Sequence, residues 1–255
     1  MLSIAPKRTC FLLFLVLAYA CSFSGKLLAQ ALPDLKKLDA YYEKARKDWN
    51  VPGMAIAIVK NDSMIFAKGY GVLNAKTGGQ VNSNTLFGIA SNTKAFTAAA
   101  LGILVDEGKL NWNDPVTKYL PYFQLYNPYV TQAVTIRDLL SHRVGLPTYS
   151  GDLLWYNTTY SREEILRRAR FLKSTYAFRD GYGYSNIMFI AAGQVIEAIS
   201  GQKWEDFIRT RFFQPLGMNQ SYVSVGELKD KPNQASPHGF NANQQPVPVF
   251  SSHWA

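Results

Sequence analysis

Ser91 and Lys94 stand three residues apart near the start of the stretch FGIASNTKAFTAAALGILVDEGKL, residues 87–110. On a helix that spacing puts both side chains on one face, near enough to meet. A hydroxyl is a weak nucleophile at neutral pH, and a neighbouring lysine whose charged form is disfavoured by burial can help to take its proton. The partial positive charge of a helix N-terminus disfavours a protonated lysine and favours an oxyanion beside Ser91. Apart from Thr97, residues 95–105 are apolar or glycine on every side of the helical wheel, which predicts a helix buried all round with Lys94 as its one charge. A bare SxxK also has a plainer reading, in which Ser91 caps the helix and Lys94 snorkels to solvent. The second copy, Ser200-Gly201-Gln202-Lys203, lies at a glycine helix stop before the amphipathic WEDFI and reads as structural.

The elements that must hold this pair follow from periodicity and punctuation. Residues 33–49 carry Leu35, Leu38, Tyr42, Ala45 and Trp49 on one stripe and predict a helix. Residues 54–60 are apolar at nearly every position, as in a strand covered on both faces, and Asn61-Asp62-Ser63 turns it into a partner strand over residues 64–71. Residues 76–79 are a turn. After Gly108 come short helices, with capping-box patterns at Thr135 and Asp138 and at Ser161 and Glu164. Ile165, Leu166, Ala169 and Leu172 form a buried stripe, residues 186–200 a second strongly apolar helix closed by Gly201, and residues 203–213 a further helix. From Lys229 the chain is expected to run as polar loop. Two strands are few for a core of this size.

Composition narrows the function classes. With 255 residues and 47% hydrophobic content the chain has ample core and is not disordered. Lys7 and Arg8, an apolar run over residues 10–21 and then Leu27-Leu28-Ala29 predict a secretory signal peptide over residues 1–29, leaving residues 30–255 as the folded domain. The expected location is therefore secreted, in a bacterial periplasm, with lipoprotein processing at Cys21 as the alternative. The apolar run is too short to span a membrane, and no later stretch predicts a stable span. Both cysteines, Cys10 and Cys21, fall in this segment, so the mature chain has no disulfide. Lys7, Arg8 and Lys26 leave with it, which lowers the formal charge of +9 by three. The cluster Arg167, Arg168 and Arg170 reads as a solvated helix face, and no nucleic-acid partner is expected. His142, His238 and His253 lack metal-ligand spacing and read as structural or surface residues, so neither a metal nor another cofactor is expected. No GxSxG elbow is present.

A second constellation gives the first its meaning. Tyr184-Ser185-Asn186, the only YxN in the chain, follows a glycine-rich turn and opens the second apolar helix. Together with Ser91-Asn92-Thr93-Lys94 and the stretches VPGMAIAIV, GKLNWNDPVTKYLP, VTIRDLLSHRVGLP and PLGM, it resembles the penicillin-recognising serine hydrolases, in their class C beta-lactamase-like branch. The resemblance covers essentially all of residues 30–255. It implies an α/β (α+β) beta-lactamase/transpeptidase-like fold, an antiparallel sheet flanked by helices with a helical subdomain. It further implies that Ser91 attacks a carbonyl to form an acyl-enzyme and that Lys94 assists its deprotonation. Tyr184 would share that proton transfer and protonate the leaving group, and Asn186 would bind the substrate amide or the lysine. The Ser91 N–H would be half of an oxyanion hole. Taken alone, Tyr184 reads as a half-buried core residue and Asn186 as an N-cap.

The family's third motif, KTG or a histidine variant on a late strand, is not matched. The one KTG here, at residues 76–78, precedes the nucleophile and runs on into Gly79 as a turn, and His238-Gly239-Phe240 has the wrong form. The expectation is an N-terminal portion of a longer protein, short of its C-terminal strands, weakly active by itself and prone to aggregate along an open strand edge. The expected function is a secreted serine hydrolase of a beta-lactam, a D-alanyl-D-alanine-type peptide of peptidoglycan or a small ester. The alternative is a beta-lactamase-fold binding or sensor protein without turnover.

Overall fold

The computed structural model describes residues 34–249, so the segment expected to be a signal peptide, both cysteines and His253 lie outside the described residues. The chain divides into two compact units between Ala45 and Arg46. Helix α1 (Leu35–Asp48) begins in the first, where Asp34 Oδ1 accepts the backbone N–H groups of Lys36 and Lys37, each at 3.1 Å. It stops in the second at Asn50, which takes a left-handed φ of 52° while the Val51 N–H donates to the Arg46 carbonyl at 2.9 Å.

Three antiparallel strands follow in the second unit, β1 (Gly53–Lys60), β2 (Ser63–Asn74) and β3 (Gly78–Gln80), in that spatial order. Lys60 pairs with Ser63, so Asn61 and Asp62 alone make the connection, at φ values of 50° and 58°. A two-residue hairpin with both φ positive matches the twist of its strands, and Asn and Asp enter that region at little cost. β1 is not covered on both faces as expected: Met54, Ile56 and Ile58 are half-buried, while Ala55, Ala57 and Val59 are exposed. Two of the three outward positions are alanine, cheap to expose, and this hides the period of two. The expected turn at Lys76 and Thr77 is present, both N–H groups donating to Asn74 Oδ1 at 2.8 and 3.0 Å. Gly78 and Gly79 then open β3, a strand the glycines conceal.

The run after Lys229 is not simply loop. Its backbone rejoins the start of the chain, with the Ala235 N–H donating to the Leu86 carbonyl and the Ser236 N–H to Leu73, both at 2.9 Å. His238 Nε2 accepts the Ala75 N–H at 3.0 Å, and β4 (His238–Phe240) pairs with β5 (Pro246–Pro248). Proline at both ends of β5 is why the sequence argues against a strand there.

The helical layer comprises α2 (Thr93–Asp106), α3 (Pro128–Ala133), α4 (Ile136–Leu140), α5 (Arg162–Ala169), α6 (Asn186–Ser200) and α7 (Trp204–Ile208). Helix α6 is its hub and packs against α2, α4, α5 and α7. Ile187, Met188, Ala191, Ala192, Val195 and Ile196 on it are fully buried, at about 1.5–3 kcal/mol for each large side chain taken from water. Helix α2 turns only one face inward, through Thr97, Ala100, Leu101 and Leu104, and leaves Ala95 and Ala99 exposed. All-round burial was expected from a run in which alanine again carries no directional signal.

The caps fall where the sequence puts them. Thr135 and Asp138 form the reciprocal box at the start of α4, and Ser161 Oγ accepts the Glu164 N–H at 3.2 Å at the start of α5. On α5, Arg167 pairs with Glu163 at 2.6 Å and Arg168 with Glu164 at 2.7 Å, one helical turn apart, so two of the three arginines of this basic cluster are paired within the helix. Gly201 closes α6 at φ 69°, and Ser200 Oγ donates to the Ile196 carbonyl at 2.7 Å, a structural role for the second SxxK. The last expected helix is α-helical to Ile208 and continues as a π-helix over Arg209–Phe213. Among the described residues no helix is long and apolar enough to cross a membrane.

Candidate active site

Ser91 sits in a single 3-10 turn, Ala90–Asn92, that runs straight into α2. Ala90 takes a left-handed φ of 44°, an uncommon conformation for a residue with a Cβ and one that concentrates where a side chain must be presented at a fixed angle. One turn on, Lys94 Nζ lies 3.3 Å from Ser91 Oγ. From a distant part of the chain the Tyr184 hydroxyl reaches the same oxygen at 2.6 Å. Asn186, the first residue of α6, places Oδ1 2.7 Å from Lys94 Nζ. Ser91, Lys94, Tyr184 and Asn186 are thus brought into one hydrogen-bonded group across 95 residues of sequence. Asn186 is not the N-cap; that position belongs to the fully buried Ser185, whose Oγ accepts the Met188 N–H at 3.4 Å.

Lys94 is half-buried rather than enclosed, and its ammonium lies over the rings of Tyr184 and Phe189, 4.7 and 5.3 Å from their centroids. Burial pushes the Tyr184 phenol up, but hydrogen bonds from Lys94 and Ser91 and the charge of Lys94 outweigh it and bring the phenol below its ordinary value. A phenol that ionises more readily, 2.6 Å from a serine hydroxyl, is equipped to receive that proton.

The loop carrying Tyr184 is clamped along its length by residues 142–149. The Gly183 N–H donates to the His142 carbonyl at 2.9 Å, the Tyr184 N–H to Thr148 Oγ1 at 3.1 Å and the Ser185 N–H to His142 Nδ1 at 3.1 Å. The Tyr184 carbonyl accepts the Tyr149 N–H at 2.8 Å. The His142 ring packs on the Tyr184 ring with centroids 4.6 Å apart. Burial and the charge of Lys94 hold the His142 imidazole below its ordinary value, which keeps Nδ1 free to accept. One step behind, the fully buried Asp138 takes Arg143 and Arg179 at 2.6 Å each and accepts the Thr135 N–H at 3.0 Å.

Gly183 shows how tight this clamp is, because a Cβ there would overlap the Leu146 carbonyl and the Tyr176 hydroxyl. Gly183→Ala is expected to cost about 1–3 kcal/mol of overpacking and to shift the Tyr184 hydroxyl off Ser91. Chemical denaturation and the rate of serine acylation, measured on the same samples, check both effects.

His142, read as structural or surface, is structural, and the fold reveals that it supports Tyr184. Sequence reasoning missed one member of this site. Asp152 had no signal at all; it opens a short 3-10 turn, Asp152–Leu154, after a left-handed Gly151, and both of its carboxylate oxygens face Asn186 Nδ2, at 3.2 and 3.0 Å.

A family model described as Beta-lactamase matches residues 38–252. The unguisins hydrolase ungD' of Aspergillus campestris (strain IBT 28561) is 35% identical over 214 residues, which are 79% of this chain and 39% of that protein. The octameric penicillin-binding protein homologue from Pyrococcus abyssi superposes with a TM-score of 0.75 at 29% identity, over 84% of this chain and 50% of that one. A D-alanine carboxypeptidase AmpC from Burkholderia cenocepacia gives a TM-score of 0.65 at 25% identity, over 85% and 57% respectively. The chain therefore spans about two fifths of the length of the curated relative and about half of these solved chains.

Proposed function

The chain belongs to the Beta-lactamase family, and from that premise we propose that it carries an acyl-transferring serine hydrolase site with Ser91 as nucleophile. The observation that carries the reading is the position of Ser91 Oγ, 2.6 Å from a phenol eased toward ionisation and 3.3 Å from an ammonium. The ionised Tyr184 takes the Ser91 proton as Oγ attacks the carbonyl carbon of an amide or ester. The Tyr184 hydroxyl then returns that proton to the departing nitrogen or oxygen, leaving an acyl-Ser91 ester that water hydrolyses. Lys94, held by Asn186, assists the deprotonation from beside the phenol, and the Ser91 N–H would be half of the oxyanion hole.

The substrates that fit are a beta-lactam, a D-alanyl-D-alanine-type peptide or a small ester, all of which present a carbonyl with a leaving group to a serine. Support for this range comes from the hydrolase and the carboxypeptidase among the similar proteins. The basic, apolar and small-residue pattern of residues 1–29 supports action outside the cytoplasm. The test is covalent labelling with a fluorescent penicillin and a fluorophosphonate. In the full-length protein Ser91 is expected to take both probes, and Ser91→Ala neither; equal labelling of the variant would remove Ser91 from the chemistry. Labelling by the fluorophosphonate alone would direct the substrate toward esters.

A further inference from the structure

A side-chain amide can be turned end for end without changing its shape, and at Asn186 only one direction serves the reaction. Asn186 Oδ1 meets Lys94 Nζ at 2.7 Å, and Nδ2 meets Asp152 Oδ1 and Oδ2 at 3.2 and 3.0 Å. An ammonium donates and cannot accept, whereas an ionised carboxylate accepts and cannot donate. Between those two groups the amide is satisfied one way round; reversed, its NH2 would face the ammonium and its oxygen the carboxylate. Asp152 is itself fixed, because Trp155 Nε1 donates to its Oδ1 at 3.0 Å. We propose that Asp152 is a positioning residue, which locks the Asn186 amide with its oxygen toward Lys94 and so holds the amine in one place beside Ser91.

The charge of Asp152 leaves a second mark. Tyr184 is faced by Lys94 from α2 and by His142 and Tyr149 from the segment after α4, while Asp152 lies behind Asn186 and opposes ionisation of the phenol. Neutralising residue 152 therefore has two effects of opposite sense. With an amide at 152 one acceptor oxygen remains, shared with Trp155, and an NH2 stands against Asn186 Nδ2, so the lock is weakened and the reaction slows, yet Tyr184 ionises at lower pH. A residue that merely filled space would produce no such shift.

The kinetic consequence rests on the acyl-transfer reading of Ser91, and the electrostatic one does not, so the experiment reads both. The proteins are the wild type, the isosteric Asp152→Asn, and the exchange Asp152→Asn with Asn186→Asp, in which an amide at 152 donates to a carboxylate at 186 that still accepts from Lys94. Acylation by a fluorophosphonate is expected to slow about 10- to 100-fold in Asp152→Asn, the loss from one mispaired half-buried polar group, and to recover most of that loss in the exchange. In tyrosine 13Cζ spectra the Tyr184 midpoint is expected to move to lower pH in Asp152→Asn and to return in the exchange. Wild-type acylation and an unmoved midpoint in Asp152→Asn would overturn the proposal, as would an exchange protein as slow as the single variant. A moved midpoint with wild-type acylation in Asp152→Asn would leave the charge of Asp152 near Tyr184 but overturn the lock, whereas a wild type that resists acylation would remove the acyl-transfer reading itself.

Discussion

Tyr184→Phe is expected to slow acylation of Ser91 by about 10²- to 10⁴-fold, the range for losing a positioned general base, while leaving the fold almost untouched. The ring loses one oxygen and no packing. Its contacts with His142 at 4.6 Å and Tyr149 at 5.7 Å involve the carbon faces, and its backbone bonds to Thr148 and Tyr149 do not depend on the hydroxyl. Thermal stability should change by less than about 1 kcal/mol, since the hydroxyl bonds in an exposed setting. The wild-type rate should climb with pH through a midpoint below that of an ordinary tyrosine, because Lys94 and Ser91 favour the ionised phenol. The variant should lose this limb of the profile. Intact-mass kinetics of acylation across a pH series measure both quantities, and a variant that acylates at the wild-type rate would make Lys94 the sole base.

Asp138→Ala is expected to be the most destabilising single change among the residues behind the site, at about 3 kcal/mol. Asp138 is fully buried and joins the start of α4 to Arg143 and Arg179, which lead into the two segments that clamp Tyr184. Removing it strands two guanidiniums and breaks the cap on α4. The guanidiniums are partly exposed and can turn to water, which keeps the loss at the lower end for a broken buried ion pair. The wild type should reveal the same group in acid. Burial raises the Asp138 carboxyl, but hydrogen bonds from Arg179, Thr135 and Arg143 outweigh this and hold it at about 2. A depressed carboxyl stabilises the fold fully above its unfolded value, so a contribution on the order of 2–3 kcal/mol is present at neutral pH and is lost between roughly pH 4 and pH 2. Urea midpoints from pH 7 to pH 2 for the wild type and Asp138→Asn check this. The variant should show a shallower acid loss; parallel curves would exclude Asp138 as its source.

What the sequence made legible were the groups with a local signature. SxxK and YxN each open a helix that begins close to where periodicity puts it, the caps at Thr135, Ser161 and Gly201 are in place, and the two helices that carry the site are the two apolar runs. Less legible was anything defined by a partner far along the chain. Asp152 reaches Asn186 across 34 positions and His142 reaches Ser185 across 43, with no spacing rule to announce either. Alanine blurred the faces of β1 and α2 because it is equally at home in both environments. Glycines hid β3 and prolines hid β5, each residue marking a break where the backbone still pairs.

Every side chain bonded to Ser91, Lys94 or Asn186 among the described residues comes from the helical layer and its loops, and none from the three-stranded sheet. Substitutions in β1, β2 and β3 can therefore alter how much folded protein a cell accumulates, and how long each molecule lasts, without removing any of these hydrogen bonds.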